Sequence, residues 1–184
     1  NLAAVNYHFG NKEALYLEVV RRRIRPANAE RLARLDQALL LAGDHPPPLE
    51  LLLDILLRPI FEIHADPSRG GPAIVRIISR GFSDPLPFMN DLLREEFQPV
   101  IARFSQAARR HVPGLTPQEF LWRFSFLIGA MQHTFATLDQ METLTRGICR
   151  GRDTEDVLRR LIHFGTVALA APALDRAPAT PAHA

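Results

Sequence analysis

Asn1-Leu2-Ala3-Ala4-Val5-Asn6-Tyr7-His8-Phe9-Gly10-Asn11-Lys12-Glu13-Ala14-Leu15-Tyr16 is the stretch on which the fold assignment turns. Asn1 is a good N-cap, and the small residues after it read as one short helix that ends at Tyr7-His8-Phe9. Gly10 supplies the backbone freedom of a tight turn, Asn11 is placed to cap a second helix, and Lys12-Glu13-Ala14-Leu15-Tyr16 opens that helix. Helix, turn and helix start thus fit within sixteen residues.

Residues 5–16, VNYHFGNKEALY, resemble the signature of the TetR family of bacterial one-component transcriptional regulators. In that family an aromatic pair and "HF" precede a turn and a "KEAL" helix. The resemblance implies an all-α protein: the end of a helix-turn-helix DNA-binding domain over 1–25, a helical ligand-binding and dimerisation domain over 26–171, and a disordered tail over 172–184. It also implies that a first helix and the leading helix of the helix-turn-helix precede Asn1, so the chain is read as N-terminally incomplete. Asn1, Leu2, Ala3, Ala4 and Asn6 occupy positions resembling those that face the major groove. Asn6 can make a bidentate contact to adenine, and small apolar side chains can touch a thymine methyl. Tyr7 and His8 would bond phosphates, with Lys12, the single lysine of the chain, adding charge against the backbone. Tyr7 and Phe9 are equally readable as core aromatics.

The composition is that of a globular chain. Of its 184 residues 47% are hydrophobic, enough for a substantial core. No strand-like alternation is sustained, so the expectation is all-helical. The net charge is only +2 and the isoelectric point about 9.2, a weak sign of nucleic acid binding by itself. Arg21, Arg22, Arg23 and Arg25 cluster just after the turn and read as a solvated face or as charge set against DNA. Cys149 is the only cysteine, which excludes an intrachain disulfide and fits a cytoplasmic location. The longest apolar run, residues 124–131, is far short of the roughly 20 needed to span a bilayer, so no membrane partner is expected.

Outward from the turn, periodicity predicts a helix over 11–25, interrupted at Pro26, and another over 27–42 carrying Leu32, Leu35 and Leu39. Gly43-Asp44-His45-Pro46-Pro47-Pro48 is a loop. Residues 49–65 form a strongly apolar helix with Pro59 inside it, 73–81 a short helix, and 88–111 a long one with Pro99 inside it. Thr116-Pro117-Gln118-Glu119 is a capping box with proline at the first helical position, opening a helix to about residue 138. Asp153 caps a last helix over 154–171.

The last two helices are apolar over most of their circumference and so must cover one surface inside the protomer and one beyond it. A two-fold partner supplies that cover. In TetR-like proteins the last two large helices pair into an intersubunit four-helix bundle, which implies a homodimer with an interface drawn from Phe124, Leu127, Ile128, Met131, Phe135, Val157, Leu158, Leu161, Ile162, Phe164, Gly165 and Ala168. Two reading heads held about 34–36 Å apart would read two half-sites of a palindromic operator.

The two proline-bearing helices leave room for a cavity. Phe61, Phe82, Phe88, Met89, Phe97, Phe104, Trp122 and Phe126 are candidate walls, with His64, Arg76, Gln132 and His133 as polar anchors for a small apolar or amphipathic ligand. Enzymatic readings fare worse. Glu62, His64 and Asp66 diverge around a helix, Glu95 and Glu96 read as a solvated face, and no metal, cofactor or nucleophile pattern occurs. The expectation is a non-enzymatic, ligand-responsive repressor without a cofactor. The competing class is a helical homodimeric adaptor or scaffold without specific DNA binding.

Overall fold

A computed structural model of the chain describes residues 11–83, 88–151 and 153–174, excluding the side chains of Phe82, Ser83 and Asp139. Among these residues there are helices and no strand: α1 Lys12–Ala42, α2 Leu49–Ala65, a 3₁₀ turn at Pro67–Arg69, α3 Gly71–Ser83, α4 Met89–Leu92, a π-helical turn Leu93–Phe97, α5 Gln98–Arg109, α6 Pro117–Leu144 and α7 Thr154–Ala170. The chain is thus all-α, as its periodicity predicts. Asn1 to Gly10 and the end of the tail lie outside the described residues.

The helix starts are set locally. The Asn11 side chain accepts from the Ala14 N–H, Thr116 from Glu119 N–H and Asp153 from Asp156 N–H, each satisfying a donor that the first turn leaves without a helical partner. At the far end of α7, Arg123 donates to the carbonyls of Ala168, Leu169 and Ala171, placing a cation on the unsatisfied C-terminal groups.

Pro26, Pro59 and Pro99 are each accommodated differently. Pro26 does not interrupt the first helix: α1 continues through it to Ala42, and the expected boundary at residue 25 falls inside α1. Proline in a helix interior costs about 3 kcal/mol, but Ile24 and Ala27 on either side are buried and hold both halves against the core. Pro59 lies within α2 and is buried. Before Pro99 the helix widens: Gln98 N–H bonds the Leu93 carbonyl five residues back, and α5 restarts with proline in its first turn, where no N–H is required. The helix expected over 88–111 is therefore three successive segments.

The central element is α2. Its Leu49, Leu52, Leu53, Ile55, Leu56, Leu57, Ile60, Phe61 and Ile63 are all buried, and α1, α3, α5 and α7 surround it. A helix that buries most of its circumference and keeps the stripe Glu50, Asp54, Arg58 and Glu62 polar is stable only with neighbours on several sides. By contrast α6 buries the stripe Phe120, Phe124, Leu127 and Phe135 and exposes Trp122 and Phe126, whose rings stack at 5.8 Å.

An ion-pair cluster ties α2 to α7: Arg58 reaches Asp54 at 2.6 Å and Glu155 at 2.8 Å. Arg58 holds the Glu155 carboxyl below the ordinary carboxylate range, chiefly by hydrogen bonding. A carboxyl shifted downwards stabilises the fold above its unfolded-state pKa, and the contribution is lost as pH falls through the lowered folded value. Glu155→Gln is therefore expected to cost about 0.5 kcal/mol at neutral pH, since the pair is solvated. In urea titrations that deficit should vanish near pH 3; a deficit that persists there would assign it to packing.

Candidate functional site

The site is assembled along α1. Its first turn, with Lys12 exposed, continues directly from the segment holding Asn1, Leu2, Ala3, Ala4, Asn6, Tyr7 and His8, which lies outside the described residues. One turn on, Tyr16 donates its hydroxyl to the Ile77 carbonyl at 2.5 Å and sets its ring edge-on to Phe88 at 5.7 Å. Gly81 lies under this contact. A Cβ there would come within 2.6 Å of both the Tyr16 hydroxyl and the Met89 methyl, so the close approach of α1 to α3 requires glycine.

Two members of the arginine cluster, Arg21 and Arg25, are tethered across to another element, while Arg22 and Arg23 stay exposed on α1. Arg21 bonds Glu95 at 2.7 Å and Arg25 bonds Glu96 at 2.6 Å, across to the π-helical turn; Arg22 pairs with Glu18 on α1 itself. Glu96 is buried and raises the pKa of Arg25 through a hydrogen bond and its charge. Glu96 is thus a buried anchor for α1 rather than part of the solvated face expected there, whereas Glu95 pairs with Arg21 from a position that stays exposed.

Further along, α1 turns polar groups inward. Asn28 and Arg31 are buried at 6% exposure each, on the same stripe as Ile24 and Leu35. Asn28 donates to the Glu96 carbonyl. Arg31 Nε donates to the Leu56 carbonyl at 2.7 Å, and its Nη1 to Asn28 Oδ1 at 2.6 Å. Leu56 lies in the turn of α2 before Pro59, whose missing N–H leaves the Ile55 carbonyl without its helical donor. Burial pushes the Arg31 pKa down to about 10, with Glu30 opposing weakly through charge.

Arg31 and Asn28 form one end of a cavity of about 80 Å³, walled by Ile24 of α1, Leu56, Leu57 and Ile60 of α2, Ile78 and Ser79 of α3, Phe97, Val100 and Ile101 near the π-helical turn, and Phe124, Ile128, Met131, Gln132 and Phe135 of α6. Its walls are almost wholly apolar. Volumes of roughly 300–1,000 Å³ are usual for drug-sized ligands, so occupancy by anything large requires the helices to part. An open depression of about 510 Å³ adjoins it, sharing Ser79, Gln132 and Phe135 and adding Arg76, Arg80 and His133.

Of the expected pocket residues, Phe97 and Gln132 reach the cavity, and Arg76, Gln132 and His133 line the depression. Phe61 and His64 stand behind the wall against Phe135, with ring centroids at 4.6 and 4.9 Å. Met89 and Phe104 are core residues, and Phe88 packs on Tyr16. Trp122 and Phe126, expected as pocket walls, line neither the cavity nor the depression, because the wheel of α6 turns them outward. The Phe82 side chain lies outside the described ones.

The expected interface residues divide similarly. Leu127, Leu158, Leu161 and Gly165 are buried within the protomer, while Phe124, Ile128, Met131 and Phe135 face the cavity. Val157, Ile162 and Ala168 are half-buried, and Phe164 is exposed. The outward apolar stripe consists instead of Leu121, Trp122 and Phe126 on α6 and Phe164 and Val167 on α7. Contacts of Arg123 with the end of α7, and of Leu127 with Gly165, set the two stripes side by side.

Asn28 and Arg31 were missed in the sequence reading, although a signal was there. Ile24, Asn28, Arg31 and Leu35 recur at steps of four, three and four, the spacing of an inward stripe, with two polar residues where apolar ones belong. Glu62, His64 and Asp66 go to separate partners: Arg69, Phe135 and the Ser68 backbone. Among the described residues no His, Cys, Asp and Glu side chains cluster as a metal site, and no helix is long and apolar enough to cross a membrane.

No curated protein matches this chain significantly. Residues 54–168 match the family described as "Tetracyclin repressor-like, C-terminal domain", a span running from the middle of α2 to near the end of α7 and covering more than half of the chain. With an all-helical fold built around that span, the chain belongs to the TetR family of transcriptional regulators.

Proposed function

We propose that this protein is a ligand-responsive repressor that binds a palindromic operator as a homodimer and releases it when a small apolar or amphipathic molecule enters the cavity. The observation that carries this reading is the continuity of α1. One helix of 31 residues, about 46 Å long at 1.5 Å per residue, begins beside the expected DNA-reading segment and forms a cavity wall with Ile24, Asn28 and Arg31. An occupant that displaces Arg31 acts on Asn28, and through it on the Glu96 tether that holds α1 to the π-helical turn. α1 then tilts as a rigid lever, and the spacing between two reading heads changes. A coupling of about 1–3 kcal/mol is enough to release an operator.

The exposed aromatic stripe of α6 and α7 supports the dimer, since the paired rings of Trp122 and Phe126 with Phe164 and Val167 form a contiguous apolar face. Asn1, Leu2, Ala3, Ala4, Asn6, Tyr7, His8 and Lys12 are proposed to face DNA. The test uses the full-length protein and operator fragments selected from random duplexes, titrated over a salt series. A repressor selects a palindrome, and its affinity falls steeply with salt. An adaptor or scaffold selects no sequence. In the same assay Asn6→Ala is expected to lose about 1–3 kcal/mol at one base step. An equal loss on every sequence would make Asn6 a positional contact only.

A further inference from the structure

We infer that the ligand taken by this cavity is a small apolar monocarboxylic acid whose carboxylate is held by Arg31. This rests on the proposed role of the cavity as a ligand site and specifies its chemistry. A guanidinium presents five N–H donors; those of Arg31 described above engage the Leu56 carbonyl and Asn28 Oδ1, both neutral. Among the described residues no carboxylate lies within ion-pair distance of it. Glu30, its neighbour on α1, is taken by Arg34 at 2.5 Å. Buried arginines are ordinarily paired, because an uncompensated charge away from water is costly. Here Arg31 lines a void whose walls are otherwise mainly aliphatic and aromatic.

That combination selects a ligand class. A planar guanidinium fork fits a carboxylate bidentately, and an apolar body fills the rest. The cavity volume of about 80 Å³ restricts that body to a short aliphatic chain or a single ring. Arg76 lines the adjoining depression, and a cation there raises the encounter rate of an anion. Gln132 and Ser79 lie where depression and cavity meet.

The test is calorimetric titration of the full-length protein with butanoate, hexanoate, octanoate, benzoate and phenylacetate, and with the primary amide of each. At least one carboxylate is expected to bind, and its amide about tenfold or more weakly. Arg31→Met is expected to weaken that carboxylate about 100-fold while leaving the amide nearly unchanged. Arg31→Lys, which keeps the charge without the fork, should show an intermediate loss and serves if the Met variant does not fold. The inference is overturned if no carboxylate binds, if amide and acid bind alike, or if Arg31→Lys and Arg31→Met bind the acid as wild type does. It is overturned equally if Arg76→Gln, rather than the Arg31 variants, abolishes binding, which would place the anion at the mouth. Operator release is scored separately by gel shift. A carboxylate that binds without releasing DNA removes the sensing role but not the ligand class, and release by neutral compounds alone does the reverse.

Discussion

Replacing Phe126 by glutamate is expected to break the proposed homodimer, raising its dissociation constant at least about 100-fold. Phe126 is 64% exposed on α6, stacked on Trp122 and beside the outward side chains of α7. In a two-fold bundle this stripe meets its own copy, so each dimer would bury two unpaired carboxylates, a cost of several kcal/mol. Because the residue makes few contacts inside the protomer, the thermal unfolding of the monomer should change little. Sedimentation velocity at micromolar concentration reads the first effect and circular dichroism the second. Operator affinity should fall in parallel, since two heads on one scaffold bind with an effective concentration that separate heads lack. A Phe126→Glu protein that still sediments as a dimer would move the interface away from α6 and α7.

Gly165→Val is expected to destabilise the core by about 3 kcal/mol. A Cβ at Gly165 would come within 2.9 Å of Leu127 Cδ1 and 3.0 Å of Leu53 Cδ1, and both leucines are almost wholly buried. α7 therefore meets α2 and α6 here at backbone distance, and neither neighbour has solvent to retreat into. Leu127→Ala alone should cost about 2–5 kcal/mol through the cavity it leaves. Together the two changes should cost clearly less than their sum, because the valine fills what the leucine vacates. Urea melts of the four proteins measure this coupling, and strict additivity would mean that the two residues do not share one space.

Much of the fold was legible because its causes are local. Asn11, Thr116 and Asp153 cap the helices that follow them, and each capping bond joins residues three apart. The apolar character of α2 and of the last two helices was equally plain. Periodicity showed that these side chains would be covered, but not by what. Trp122 and Leu127 are both large and apolar on one helix, yet one faces outward and the other the protomer's own α7. Pro26 shows the limit of breaker rules: a proline costs a few kcal/mol, and burial on either side of it supplies more.

By itself the sequence determined the helical class, the capped helix starts at Asn11, Thr116 and Asp153 and the family-like signature at residues 5–16, since each depends on residues within a few positions of one another. The tertiary structure alone decided that α1 is one continuous rod, that Glu96 anchors it, and that a void remains beside Arg31. A cavity is the volume left over when helices from residue 24 to residue 135 have finished packing. Its shape and the buried guanidinium that lines it are properties of that distant arrangement, which no local pattern encodes.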